Sequence, residues 1–356
     1  MYNLEDIKPV VNKIHNIAQH FENIQIMEVC GTHTNAIAKY GIKSLLPENI
    51  TLVSGPGCPV CVTSQRDIDI SLYLASMKNT IFCTFGDMLK VPGTNYNCLE
   101  KIKANGGDIR IVTSPLTCIK IAEENREKNV VFMAIGFETT SPANAYTVKL
   151  AKDKGLSNFT IFSLHKLITP AMKLLLTDPD IRIDGFLLPG HVCTILGKED
   201  FEFLSDFEKV GVISGFEAMD ILLAILMILM KLKNKDFKVE IEYKRAVKPE
   251  GNIKAKEILS EVFNVVDAEW RGLGLIEKSG LGLNEKFEKF DATKVYNIPE
   301  IKSEENRSCI CGEILKGKLL PTNCNLFKKL CTPFNPAGPC MVSSEGTCAA
   351  YYKFYA

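Results

Sequence analysis

Along the first three-fifths of the chain one pattern repeats. A short, nearly continuous apolar run ends in glycine or a small polar residue, and a stretch with helical spacing follows. The runs are IQIMEVCG (24–31), ITLVSGPG (50–57), TIFCTFGD (80–87), DIRIVTS (108–114), VVFMAIGFE (130–138), FTIFSLH (159–165), DGFLLPGH (184–191) and VGVISGFE (210–217). They begin roughly every 20 to 30 residues, the spacing of successive βα units. Continuous rather than alternating apolar runs indicate strands buried on both faces of a parallel sheet. Eight strands admit one large sheet or two smaller ones. The polar stretch EENREKN (123–129) before the fifth run favours two α/β lobes with a boundary near residue 130. Helices are expected over TNAIAKYGIKSLL, QRDIDISLYLASMKN and SPANAYTVKLAKDKG, the last with a Ser-Pro start and a Gly stop.

Beyond residue 217 the pattern changes. A long apolar helix over roughly 217–235 contains ILLAILMILM (221–230), which at ten residues is too short to span a bilayer and reads as a buried helix. A strand-like KVEIEYKRAV, a helical GNIKAKEILSEVFNVVD and a Gly-rich RGLGLIEKSGLGL follow. Residues 285–308 are charged and resemble a linker, and the last ~50 residues, with six cysteines, read as a cofactor-binding module.

Composition narrows the setting. The chain has 356 residues, enough for two or three domains. Lys+Arg and Asp+Glu are both 42, with no long basic run, so no nucleic-acid partner is expected. The start, MYNLEDIKPVVNKI, lacks the basic and apolar regions of a signal peptide; a cytoplasmic protein with no membrane partner is expected. Thirteen cysteines are many for such a chain. Cys83, Cys98, Cys118 and Cys193 lie in or beside apolar stretches and read as small buried hydrophobes; the others cluster with Gly and Pro.

In parallel α/β sheets, ligands bind beyond the carboxyl ends of the strands. The residues there are Cys30-Gly-Thr-His33, Gly55 to Cys61, Gly86-Asp87, Gly136 to Thr140 with Glu138, His165, Pro189-Gly-His191 and Gly215-Phe-Glu217. Cys30 and His33 at a strand-to-helix turn suit a soft or borderline metal, or a Cys–His nucleophile, with the helix dipole expected to favour the thiolate. Cys58 and Cys61 form a CxxC. No second CxxC exists to complete a zinc site, so a redox dithiol is favoured. In the C-terminal module, Cys309, Cys311, Cys324, Cys331, Cys340 and Cys348 are unevenly spaced among Gly and Pro. That favours an iron–sulfur cluster over four-cysteine zinc, which usually brings paired CxxC knuckles.

Taken together, MEVCGTH (27–33), GPGCPVC (55–61), GFETT (136–140), PGHV (189–192), SGFE (214–217) and CTPFNPAGPCMVSSEGTCAAYY (331–352) resemble the HypD family of hydrogenase maturation factors nearly end to end. The resemblance implies a scaffold for assembly of the Fe(CN)2CO unit of [NiFe]-hydrogenase. The transient iron would be held between Cys30 and a small HypC-type partner, and cyanide delivered by HypE/HypF-type proteins. It implies two similar α/β lobes around a cleft and a third domain with a [4Fe–4S] cluster on Cys309, Cys324, Cys331 and Cys348, leaving Cys311 and Cys340 outside, with the choice between Cys309 and Cys311 open. The expected segments are an N-terminal helix (1–23) packed on the third domain, lobe I (24–129), lobe II (130–212) and the third domain (213–356).

The residues suit such a role. Cys30 and His33 offer iron a thiolate and an imidazole, Cys58 and Cys61 lie between iron and cluster as a redox pair, and Glu138, His191 and Glu217 serve either as proton donors lining the cleft or as helix caps. Two other readings compete: a Cys-dependent transferase or thiol oxidoreductase using Cys30 and His33, and a structural zinc-bearing adaptor.

Overall fold

Each of the eight apolar runs forms a strand in the computed structural model, which describes residues 4–355: β1 (Ile24–Glu28), β2 (Ile50–Ser54), β3 (Thr80–Thr84), β4 (Asp108–Ile111), β5 (Asn129–Gly136), β6 (Phe159–His165), β7 (Gly185–Pro189) and β8 (Val210–Ser214). A short β9 (Glu240–Ile241) follows. All pairings among these nine are parallel, and β3, β7 and β8 are buried along their whole length. The fold is therefore α/β with two parallel sheets, ordered β2-β1-β7-β8-β9 and β4-β3-β5-β6.

The boundaries of the lobes differ from the expectation. The division at residue 130 fails because β3 pairs with β5 across it, Thr80 to Cys83 opposite Asn129 to Phe132. The polar stretch 123–129 is only the turn from the helix Leu116–Glu124 into β5. After β6 the chain returns to the first sheet, where β7 pairs with β1. The first lobe is thus built from two separated segments, and the second is inserted between them. The division at 213 fails for the same reason: β9 pairs with β8, and the helix Ala218–Lys233 packs on β7 and β8. That helix buries Ile221, Leu222, Ala224, Ile225, Ile228 and Leu229. The helix Leu4–Ala18 packs against it, so it meets the expected partner segment, but as the outer layer of the first lobe. Residues 1–3 lie outside the described residues.

The predicted helix over 251–267 is cut short. It runs Ile253–Val262, and the β-branched residues that follow enter β10 (Phe263–Trp270), which pairs antiparallel with β11 (Gly274–Leu283). Most of β10 is exposed, and β11 lies against β6 through the bridge Lys166–Gly280. Residues 301–355 have little regular structure beyond the short helix Cys311–Leu315 and the helix Thr347–Phe354. They share one apolar core with both sheets, in which Cys311, Ile314, Cys340 and Met341 join Met27, Val53, Phe82 and Val131. Among the described residues no helix is long and apolar enough to cross a membrane.

Candidate functional site

The chemistry-bearing loops sit at the carboxyl ends of strands from both sheets. Cys30 ends the β1 loop and begins the helix Gly31–Lys39, with extended backbone angles. The backbone N–H groups of Thr32 and His33 act on its sulfur toward thiolate without forming a hydrogen bond to it, and its own N–H donates to Glu28 Oε2 at 3.1 Å. Burial nevertheless dominates: aided by the nearby Glu345 carboxylate, it pushes the thiol up to about 12. The expected thiolate is corrected to a neutral thiol, because two helix N–H groups do not offset loss of water around the charge.

His33 is fully buried. Its Nε2 lies 2.9 Å from the Gly215 carbonyl oxygen, which can only accept, so Nε2 carries the hydrogen and Nδ1 keeps a lone pair. That Nδ1 has no hydrogen-bond partner. Burial lowers the ring to about 4, so it is neutral at physiological pH, the form a metal binds. Phe216 stacks on His33, with centroids 4.6 Å apart, and on the exposed ring of His191 at 3.9 Å. Two sequence-selected histidines thus meet through one aromatic ring.

Cys58 and Cys61 are joined in a disulfide, their Cα atoms 5.3 Å apart. The helix Pro59–Val62 that carries Cys61 packs on the segment Pro339–Met341 on one side. On the other, Gly57 lies directly on the Cys30 turn: its carbonyl accepts from Gly31 N–H at 3.0 Å, and any Cβ there would overlap the Cys30 nitrogen and the Val29 carbonyl. The CxxC turn therefore lies between Cys30 and the C-terminal cysteines.

The three remaining sequence-selected residues divide. Glu138 is buried rather than lining an open cleft; Oε1 accepts from Ile168 N–H at 3.0 Å, capping the helix Ile168–Thr177, and Oε2 has no partner. Burial raises its carboxyl to about 7. Glu217 is exposed at the cap position of the helix Ala218–Lys233, where its N–H donates to Asp220. His191 touches the site only through Phe216.

Several site residues were not singled out in the sequence. Glu28 is buried, bonded to the Cys30 nitrogen and to Thr34, and raised by burial to about 7. A carboxylate closing an apolar strand run was the available signal. Glu345 Oε1 accepts from Thr32 Oγ1 at 2.8 Å, and Ser343 Oγ donates to Asp87 Oδ2 at 3.1 Å. One C-terminal loop thereby touches the ends of both sheets.

All six C-terminal cysteines line a single small cavity with Ile314, Leu326, Phe327 and Met341. Hydrogen bonding with Cys311, with burial, raises the Cys309 thiol; burial raises Cys331 and Cys348. Among the described residues no group of His, Cys, Asp and Glu is arranged to hold a single metal ion. A polynuclear cluster sets its thiolate ligands wider apart than one ion does, and it needs a small apolar cage of sulfur donors. The donor set suits that requirement in kind, with six sulfurs where a cluster takes four.

Set against known proteins, residues 5–355 match the family model described as HypD, hydrogenase formation hypA family. A Methanocaldococcus jannaschii protein, provisionally described as a hydrogenase expression/formation protein, is 46% identical over 99% of each chain. The hydrogenase maturation factor HypD2 of Bradyrhizobium diazoefficiens is 46% identical over 93% of this chain and 89% of its own. The Escherichia coli hydrogenase maturation factor HypD is 42% identical over 98% and 95%.

Proposed function

The chain belongs to the HypD family of hydrogenase maturation factors, and on that premise we propose that it is a cytoplasmic scaffold for assembly of the Fe(CN)2CO unit of [NiFe]-hydrogenase. The iron unit is its cargo, held by Cys30 with His33 and a small HypC-type partner, and cyanide comes from HypE/HypF-type proteins. The observation that carries this reading is the Cys30–His33 turn. A thiol and a neutral imidazole with a free, buried Nδ1 sit three residues apart at one strand end, against a CxxC turn.

Cys30 rests as a thiol, so iron must displace its proton. Glu28, titrating near neutrality and bonded to the Cys30 backbone, is the nearby acceptor for it. The Cys58–Cys61 disulfide takes up two electrons and two protons on opening. Cys309, Cys324, Cys331 and Cys348 would hold a [4Fe–4S] cluster, which when bound supplies electrons one at a time. The transferase reading is weakened because a nucleophile needs the thiolate that burial disfavours at Cys30. The zinc-adaptor reading is weakened because Cys58 and Cys61 are joined to each other.

The test is infrared spectroscopy of the chain co-purified with its HypC-type partner. Wild type should show CN and CO stretches, and Cys30→Ala, still folded, should lose them. An unchanged spectrum in the variant removes Cys30 as the anchor. Anaerobic protein should carry about four irons and four sulfides per chain; zinc without sulfide overturns the cluster assignment.

A further inference from the structure

Arg271 is 6% exposed, and among the described residues its one ion pair is long and reaches an exposed side chain. Its Nε donates to the Thr63 carbonyl at 3.0 Å and Nη1 to Gln65 Oε1 at 3.0 Å, both neutral acceptors. Nη2 has no partner. The nearest acid is Glu305, 4.0 Å from Nη1 on a side chain half exposed to water. A buried guanidinium whose close contacts are all neutral is costly unless a stronger opposite charge lies near.

Its surroundings point to that charge. Arg271 lines one cavity wall with Cys309 and Cys311. Gly272 packs backbone to backbone on Gly312, next to Cys311, so closely that a Cβ on Gly272 would overlap the Gly312 Cα. The backbone N–H of Arg271 donates to Val62 O at 2.9 Å, which ties the same residue to the CxxC helix.

We propose that Arg271 is the counter-ion of the anionic cluster seated in the C-terminal cysteine cage, and that its charge raises the cluster's reduction potential. The proposal rests on the cluster reading above. Four thiolates outweigh the positive charge of an iron–sulfur core, and reduction adds a further negative charge. A fixed cation beside the cage therefore favours the reduced state, net charge being one of the levers on such potentials. Nη2, one of the guanidinium's two terminal amino groups, is the donor left for a sulfur ligand.

The test is a redox titration of the anaerobically loaded full chain, followed by visible absorbance and electron paramagnetic resonance. Arg271→Gln removes the charge but keeps an amide donor for Thr63; Arg271→Lys keeps the charge. Arg271→Gln should shift the one-electron equilibrium at least about tenfold toward the oxidised cluster, 59 mV to lower potential, with Arg271→Lys close to wild type. If Arg271→Gln keeps native circular dichroism but fails to load iron and sulfide while Arg271→Lys loads, the counter-ion role is likewise supported. Equal potentials in all three proteins, or equal falls in both variants, overturn it. Wild type that takes up no iron and sulfide instead overturns the cluster reading, a result distinct from an unmoved potential.

Discussion

Burial decides the protonation state of the site residues. Cys30, Glu28 and Glu138 are held toward their neutral acids, and His33 toward its neutral base. For Glu138 the sign follows directly. An acid raised to about 7 in the folded state and near 4.5 in the unfolded chain stabilises the fold below pH 4.5 and loses that contribution as pH rises through 7. Glu138→Gln lacks this dependence. Between pH 5 and 8 the variant should gain stability relative to wild type, by up to about 3 kcal/mol, in urea titrations at each pH. A difference constant with pH would mean that Glu138 is ionised in the folded protein. Glu138 and Glu217 both stood open as proton donors or caps. Glu217 occupies the cap position of its own helix, and Glu138 caps the helix of a different unit while keeping Oε2 free.

At the scale of elements, the strand-to-helix turns matter most, and Gly57 shows how tightly they interlock. Gly57→Ala must push the CxxC turn off the Cys30 backbone, because the added carbon meets main chain rather than a movable side chain. It should cost on the order of 3 kcal/mol, read as a lower urea midpoint, while Gly106→Ala is a poor control because its φ is +93°. Gly86→Ala, which meets only Ile111 Cγ2 at 3.7 Å, is the suitable one and should leave the midpoint nearly unchanged. Eight of the nine strands of the two sheets were legible beforehand as apolar runs, because a strand buried on both faces writes itself as a continuous apolar run, and the ninth lies within the strand-like KVEIEYKRAV. The β10–β11 hairpin was not, because an exposed ribbon leaves no such run and its first strand continued a helical stretch. Cys30, Cys58, Cys61 and the site histidines were marked by their place after apolar runs, and the C-terminal cysteines by their clustering among Gly and Pro. Arg271 and Glu345 were not, since each acts through a neighbour far off in sequence, Thr63 for Arg271 and Thr32 for Glu345, whereas Glu28 was missed although its partners Cys30 and Thr34 are local.

The molecule as a whole is one lobe interrupted by another. β1 is an interior strand of its sheet, between β2 from the start of the chain and β7 from beyond the insertion. A fragment of residues 1–129, the unit suggested by polarity alone, keeps β1 and β3 but deprives them of β7 and β5. It should show no cooperative thermal transition by circular dichroism, whereas the full chain should unfold cooperatively; a cooperative fragment would show that β1 and β2 suffice. The same threading has a consequence for biosynthesis. β1 and β2 leave the ribosome early, but β7 cannot join them until the whole inserted lobe, from β3 to β6, has been made. At ordinary translation rates that interval is on the order of ten seconds. Throughout it the apolar edge of β1, with Ile26 and Met27, is exposed to other nascent chains. Slower codon usage across the insertion, or a shortage of chaperone, should therefore lower the yield of soluble protein more than the stability of the finished fold suggests.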